Sequence, residues 1–234
     1  MMLTPTPRYT ETALGRAPMP SVTATGFSLH TGKAGLWDPY LRRWEGGREN
    51  ADTVFGIVEV LSGPATDVAE VVWKAVDAAF TEQRMTITRL FNNALTAAHE
   101  NLSDYAARGW QAGATLAAMR GNELYVAWAG PSLALFANEP GGVFKPSAAD
   151  NASEESEVVL GADGTIAPRL VSVPVGSGVE LLLSWASLSQ KVTSTALGAI
   201  LSGGSEGSTQ AIYRLGNDEP EFAALVAKFL PRTD

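Results

Sequence analysis

Apolar and polar positions change their spacing several times along the chain, and each change marks an element. The stretch TVFGIVEVL, Thr53 to Leu61, is dense in β-branched residues and stops at Ser62-Gly63-Pro64, where Pro and Gly interrupt a ladder, so a strand is predicted there. The period then becomes helical. From Thr66, the residues Val68, Val71, Val72, Ala75, Val76, Ala79 and Phe80 fall on one stripe, and Ile87, Leu90, Phe91, Ala94, Leu95, Ala98 and Leu102 form a second. Two adjacent amphipathic helices are predicted to cover one layer. Ahead of them SVTATGFSLH, Ser21 to His30, alternates weakly and predicts a first strand, followed by an irregular Gly- and Trp-containing stretch to Gly47.

Beyond the helices the two-residue period returns. Ala114 to Met119 and Leu124 to Ala129 are predicted strands joined across Arg120-Gly121-Asn122-Glu123, and Ser132 to Ala137 is a third that closes at NEPGG, together an antiparallel meander. SAADNASEESE is acidic and small, a solvated loop, and PRLVSVPVGSGVELLLSW gives two strands around Gly176-Ser177-Gly178. Ala196 to Leu201 is a short helix and Thr209 to Leu215 a closing strand. Asp218-Glu219-Pro220 opens a last helix with Phe222, Leu225, Val226, Phe229 and Leu230 on one face. The order predicts an α+β domain, two packed antiparallel sheets flanked by helices. A loose Pro-rich arm over 1–20, one domain over 21–216 and a C-terminal helix over 217–234 packed on that domain complete the organisation.

Composition narrows the setting. The chain has 234 residues, 45% of them hydrophobic, enough to bury a full core. Its formal charge of -8 and pI near 4.8, with 17 scattered Lys and Arg, give no phosphate-binding footprint, so no nucleic-acid partner is expected. Cysteine is absent, which excludes disulfides, thiolate metal sites and a cysteine nucleophile. No apolar run approaches the ~18 residues of a spanning helix, so a cytoplasmic protein without a membrane partner is expected.

Four stretches, taken in order, carry a resemblance. They are FGIVEVLSGPATDVAEVV (Phe55 to Val72), GWQAGATLAAMRGNELYVAWAGPSLALF (Gly109 to Phe136), VLGADGTIAPRLVSVPVGSGVELLLSWASL (Val159 to Leu188) and GSTQAIYRL (Gly207 to Leu215). They resemble, respectively, the Asp-Gly-x-Gly-Gly turn with its strand and helix, the Gly-x-Thr strand and Gly-Asp-Ser turn, the Leu-Gly to Ser-Asp-Gly-Leu stretch, and the final Asp-Asn-x-Thr strand of the metal-dependent type 2C (PPM) serine/threonine phosphatases. The resemblance covers roughly Thr23 to Leu215 and implies a four-layer α-β-β-α sandwich. It also implies the chemistry of that family, in which two manganese or magnesium ions held by carboxylates and waters activate a bridging water against a phosphoryl group.

Residue by residue, the resemblance implies that the metal centre is degenerate. Glu59 stands at the bridging Asp position and Val60 at the Gly whose carbonyl is used. Pro131 replaces the acid of Gly-Asp-Ser and offers no ligand atom. Trp185 replaces the metal-binding Asp after Ser184, Ala186 replaces the following Gly, and Gly207-Ser208 replace the Asp-Asn pair, with Glu206 one place away. Upstream, RENAD loosely resembles the Arg-x-x-Asn-Glu-Asp motif of bacterial members, with Ala51 in the Glu place and Asp52 retained, which makes Arg48 and Asp52 candidate residual phosphate or ligand contacts.

A site offering only Glu59 and Asp52 cannot neutralise about four positive charges, so no cofactor is expected and the implied role is that of a pseudophosphatase. A regulatory or protein-binding domain follows by analogy, its partner a phosphoprotein or kinase. Two alternatives stand beside it: a divergent phosphatase using Glu59, Asp52 and Glu206 with one manganese or magnesium ion, and a small-molecule sensor using the remodelled cleft. His30 and His99 give no metal spacing and no triad signal. Ser62, Ser132 and Ser184 lack an elbow motif, and the Gly-rich stretches lack a Walker lysine.

Overall fold

The computed structural model describes residues 22–35, 37–45, 53–81, 85–138, 142–144, 159–175 and 178–230. Arg48 and Asp52, the acidic loop around 148–157 and the N-terminal arm lie outside them. Two antiparallel sheets face each other. One holds β3 (Leu41–Glu45), β4 (Thr53–Ser62), β5 (Gln111–Arg120), β6 (Glu123–Ala129) and β9 (Arg169–Pro174), in the order β3-β4-β5-β6-β9. The other holds β1 (Val22–His30), β2 (Lys33–Gly35), β7 (Leu133–Asn138), β8 (Gly142–Phe144), β10 (Val179–Ser184) and β11 (Phe222–Phe229), in the order β2-β1-β11-β10-β7-β8.

α1 (Ala65–Phe80) and α2 (Ile87–Ser103) lie on the first sheet, and α4 (Ser194–Leu201) and α5 (Ser205–Gly216), after the short α3 (Leu188–Lys191), on the second. The four layers expected are therefore present. Both long helices match their predicted stripes because one face is wet: α1 buries Val68, Val72 and Val76, and α2 buries Phe91, Leu95 and Leu102. Thr86 caps α2 by accepting from the Arg89 N–H. Between the sheets Phe55 of β4 meets Phe229 of β11 edge-on at 6.1 Å, which fixes the direction in which alternate β4 side chains point.

The structure differs from the expected elements in several places. The predicted meander breaks after β6, because Gly130-Pro131-Ser132 carries the chain across to the second sheet, where β7 pairs with β10 and β8. Gly130 (φ 87°) lies so close to β5 that a Cβ there would stand 2.7 Å from Gly113 Cα. β9 and β10 likewise pair in different sheets. The stretch before Gly47 is not merely irregular, since it contributes β2 and β3.

Thr209 to Leu215 is not a strand but the body of α5, whose buried residues Ser208, Ile212 and Gly216 recur every fourth place. The C-terminal helix expected over 217–234 is a strand, β11, paired on both sides by β1 and β10. Phe222 to Ala227 are buried without interruption, and a run that is apolar on both faces satisfies helical and extended spacings alike. Among the described residues no helix is long and apolar enough to cross a membrane.

Candidate functional site

Glu59 sits near the end of β4 opposite Gly113 of β5, on the face turned toward the second sheet, and is buried. Its Oε2 accepts the Ala186 N–H at 2.9 Å. Next to it the Trp185 indole, also buried, donates Nε1–H to the Val58 carbonyl at 2.9 Å. The pair 185–186 thus donates two hydrogen bonds to the pair 58–59, and the two segments are clasped together. Each bond satisfies a polar group that would cost about 1–3 kcal/mol if buried alone.

Pro131 closes one side. Its Cδ and the Ser132 hydroxyl each stand 3.1 Å from where a Gly113 Cβ would be, so any side chain opposite Glu59 would press on both. Ser132 Oγ and Thr115 Oγ1, both buried, have no hydrogen-bond partner among the described residues. Val60 follows Glu59 with its side chain half-buried against the core.

The other side is aromatic and acidic. Tyr40, fully buried at the head of β3, meets Trp185 edge-on with centroids 5.0 Å apart, and its hydroxyl donates to Glu221 Oε2. His30 Nδ1 lies 3.0 Å from the same oxygen, and the Thr31 N–H donates to Oε1 at 3.0 Å. Burial pushes the Glu221 carboxyl up, but the bonds from Tyr40, Thr31 and His30 outweigh it and hold the group below the usual carboxylate range. Burial first, and then the bond to Glu221 and its charge, push the Tyr40 hydroxyl far above the usual phenol range.

Glu59, Val60, Pro131 and Trp185 are therefore brought together at one end of the sandwich. Gly207 is not one of them by the reasoning that selected it: it lies exposed in the first turn of α5, with open space around it. The closing strand whose head it was expected to mark is β11. The acidic residues preceding that strand are Asp218 and Glu219, both paired with Lys191 (2.9 Å for Glu219), and Glu221. His99 is structural, with Nε2 2.8 Å from the Gly164 carbonyl and Nδ1 accepting the Gly161 N–H at 3.3 Å. His30, Tyr40 and Glu221 escaped the sequence reading because they lie 10 and 181 to 191 positions apart, with no motif around them.

The residues present do not fit a pair of divalent cations. Such ions need several converging oxygen ligands, whereas here one Glu59 oxygen is taken by an amide, Trp185 presents an N–H already bound to a carbonyl, and Pro131 presents carbon. Among the described residues no group of three His, Cys, Asp or Glu converges as a metal site.

The two facing sheets, their strand order and the helix pair on each side define the fold of the PPM-type serine/threonine phosphatases. Three solved structures show it. The catalytic domain of the phosphatase PstP, in complex with two manganese ions, is 15% identical over 89% of this chain and 98% of its own, with a TM-score of 0.68. Stp1 of Staphylococcus aureus is 12% identical over 98% and 100%, TM-score 0.68, and the S. agalactiae serine/threonine phosphatase 10% identical over 90% and 100%, TM-score 0.69. No protein-family model matches the sequence, and no curated protein does.

Proposed function

We propose that this chain is a pseudophosphatase, a type 2C-like domain that performs no metal-dependent phosphoryl transfer and acts by binding another protein. The observation that carries this reading is the Trp185 indole, which stands where the resemblance places a metal-binding Asp and is anchored to the Val58 carbonyl at 2.9 Å. A catalytic cation stabilises developing charge only where carboxylates and water can surround it, and an indole packed between Tyr40 and β4 displaces both. The fold leaves the domain its helix surfaces and sheet edges, which supports a regulatory role in the cytoplasm with a phosphoprotein or kinase as partner.

Manganese titration by calorimetry together with hydrolysis of an aryl phosphate in excess manganese tests the reading. No binding heat and no turnover are expected. Tight binding with turnover that Glu59→Ala abolishes would overturn it and favour the divergent phosphatase.

A further inference from the structure

Three side chains outside the clasp line up in the order nucleophile, base, acid. Glu221 heads β11, His30 ends β1, and Thr66 lies in the first turn of α1, just after β4 has turned through Gly63-Pro64. His30 Nδ1 is 3.0 Å from Glu221 Oε2, and His30 Nε2 is 3.4 Å from Thr66 Oγ1. We propose that Thr66, His30 and Glu221 form an acyl-transfer site that hydrolyses small carboxylic esters.

The hydrogen-bond pattern sets the tautomer. Glu221 Oε2 already accepts the Tyr40 hydroxyl proton and is an acceptor toward Nδ1, so Nδ1 carries the hydrogen and Nε2 keeps its lone pair facing Thr66. The Thr31 N–H on Oε1 fixes the carboxylate from its other side. This is the relation of nucleophile, base and orienting acid that is identified by geometry rather than by sequence order, and distances above the ideal are common before substrate binds.

Thr66 is not spent on capping its helix. Pro64 occupies the cap position, no side-chain cap bond forms there, and the first helical bond runs from the Val68 N–H to the Pro64 carbonyl. The strand, tight turn and helix sequence, with Gly63 at φ 106°, resembles the setting that exposes a hydrolase nucleophile. The site is open: the His30 side chain is 42% exposed and Thr66 lies at the surface.

The reaction balances with water as the only co-reactant. Thr66 Oγ bonds to the ester carbonyl carbon while His30 Nε2 takes its proton. The C–O bond to the alcohol breaks, the alcohol leaves with that proton, and acyl-Thr66 remains. Water then gives a proton to Nε2 and its oxygen to the acyl carbon, the acyl–Oγ bond breaks, and the carboxylic acid and Thr66 hydroxyl are restored. Thr66 and His30 are the catalytic residues, and Glu221 positions His30.

The test uses the full chain and p-nitrophenyl acetate, following nitrophenolate release and mapping the acetyl group by peptide mass. The expected result is an acetyl on Thr66, with Thr66→Ala and His30→Asn each lowering turnover about 100-fold or more while the folded circular-dichroism spectrum is kept. Thr66→Ser should retain turnover, and Glu221→Gln should lower kcat with little change in KM. Release no faster than from heat-unfolded chain, an acetyl group mapped elsewhere, or turnover unchanged in Thr66→Ala would overturn the proposal. None of these outcomes bears on aryl phosphate hydrolysis, so this site and the pseudophosphatase reading stand or fall separately.

Discussion

Along β4, the side chains from Val54 to Val58 are buried between the helices of one layer and the strands of the other sheet, where they make apolar contacts. Glu59, the next residue, is buried just as deeply but is held by direction, through one bond to the Ala186 amide while its neighbour's carbonyl receives the Trp185 indole. The resemblance to the PPM phosphatases implies that the second half of such a strand serves cations. Here the polar end is closed by protein donors and acceptors instead. The contrast teaches that the two halves differ in tolerance: apolar packing accepts exchange of one hydrocarbon for another, whereas a set of ligands fails when a few members change.

The comparison can be broken most forcefully at Trp185. Trp185→Ala removes both the ring and the clasp and should cost about 3–5 kcal/mol in urea unfolding. Ile57→Val, in the apolar half, should cost only about 0.5–1.5 kcal/mol. A Trp185→Ala loss as small as that of Ile57→Val would show that the clasp contributes nothing. Glu59→Ala, which strips the Ala186 amide of its acceptor, comes next at about 1–3 kcal/mol.

Protonation should sharpen the contrast further. The Tyr40 hydroxyl is raised in the fold, so its stabilisation is complete below about pH 10 and is lost as pH rises beyond it. Glu221 is lowered, so its contribution is present above the ordinary carboxylate range and is lost as pH falls through its folded value. Tyr40→Phe should flatten the alkaline fall measured by Tm against pH. The smallest effect is expected of manganese, which should leave Tm unchanged. A real site at 100 times its Kd would add about 2.7 kcal/mol.

Much of this was legible in the sequence. The α1 and α2 stripes, the β4 run and the β5–β6 hairpin announce themselves because each has one wet face or a local turn. The sandwich followed from their order and the resemblance. What misled was local ambiguity. β11 reads as a helix because burial on both faces erases any preference for period, and α5 reads as a strand because its buried repeat, Ser208, Ile212 and Gly216, has only one large apolar member. The crossing at Pro131 was invisible, since alternation reveals a strand but not the sheet it joins.

The site divides the same way. Glu59, Pro131 and Trp185 were found because motif order placed them. Gly207 failed together with the strand it was meant to precede. His30, Tyr40 and Glu221 needed a fold to meet at all.

The place of β11 has one more consequence. Val22 pairs with Phe229, and both β1 and β10 depend on this strand for their inner partner. During synthesis nearly everything else in the second sheet leaves the ribosome before Phe222 to Phe229 do, so β1 and β10 wait with bare edges. Throughout that interval the unfilled slot between two apolar strands accepts any extended segment that arrives first.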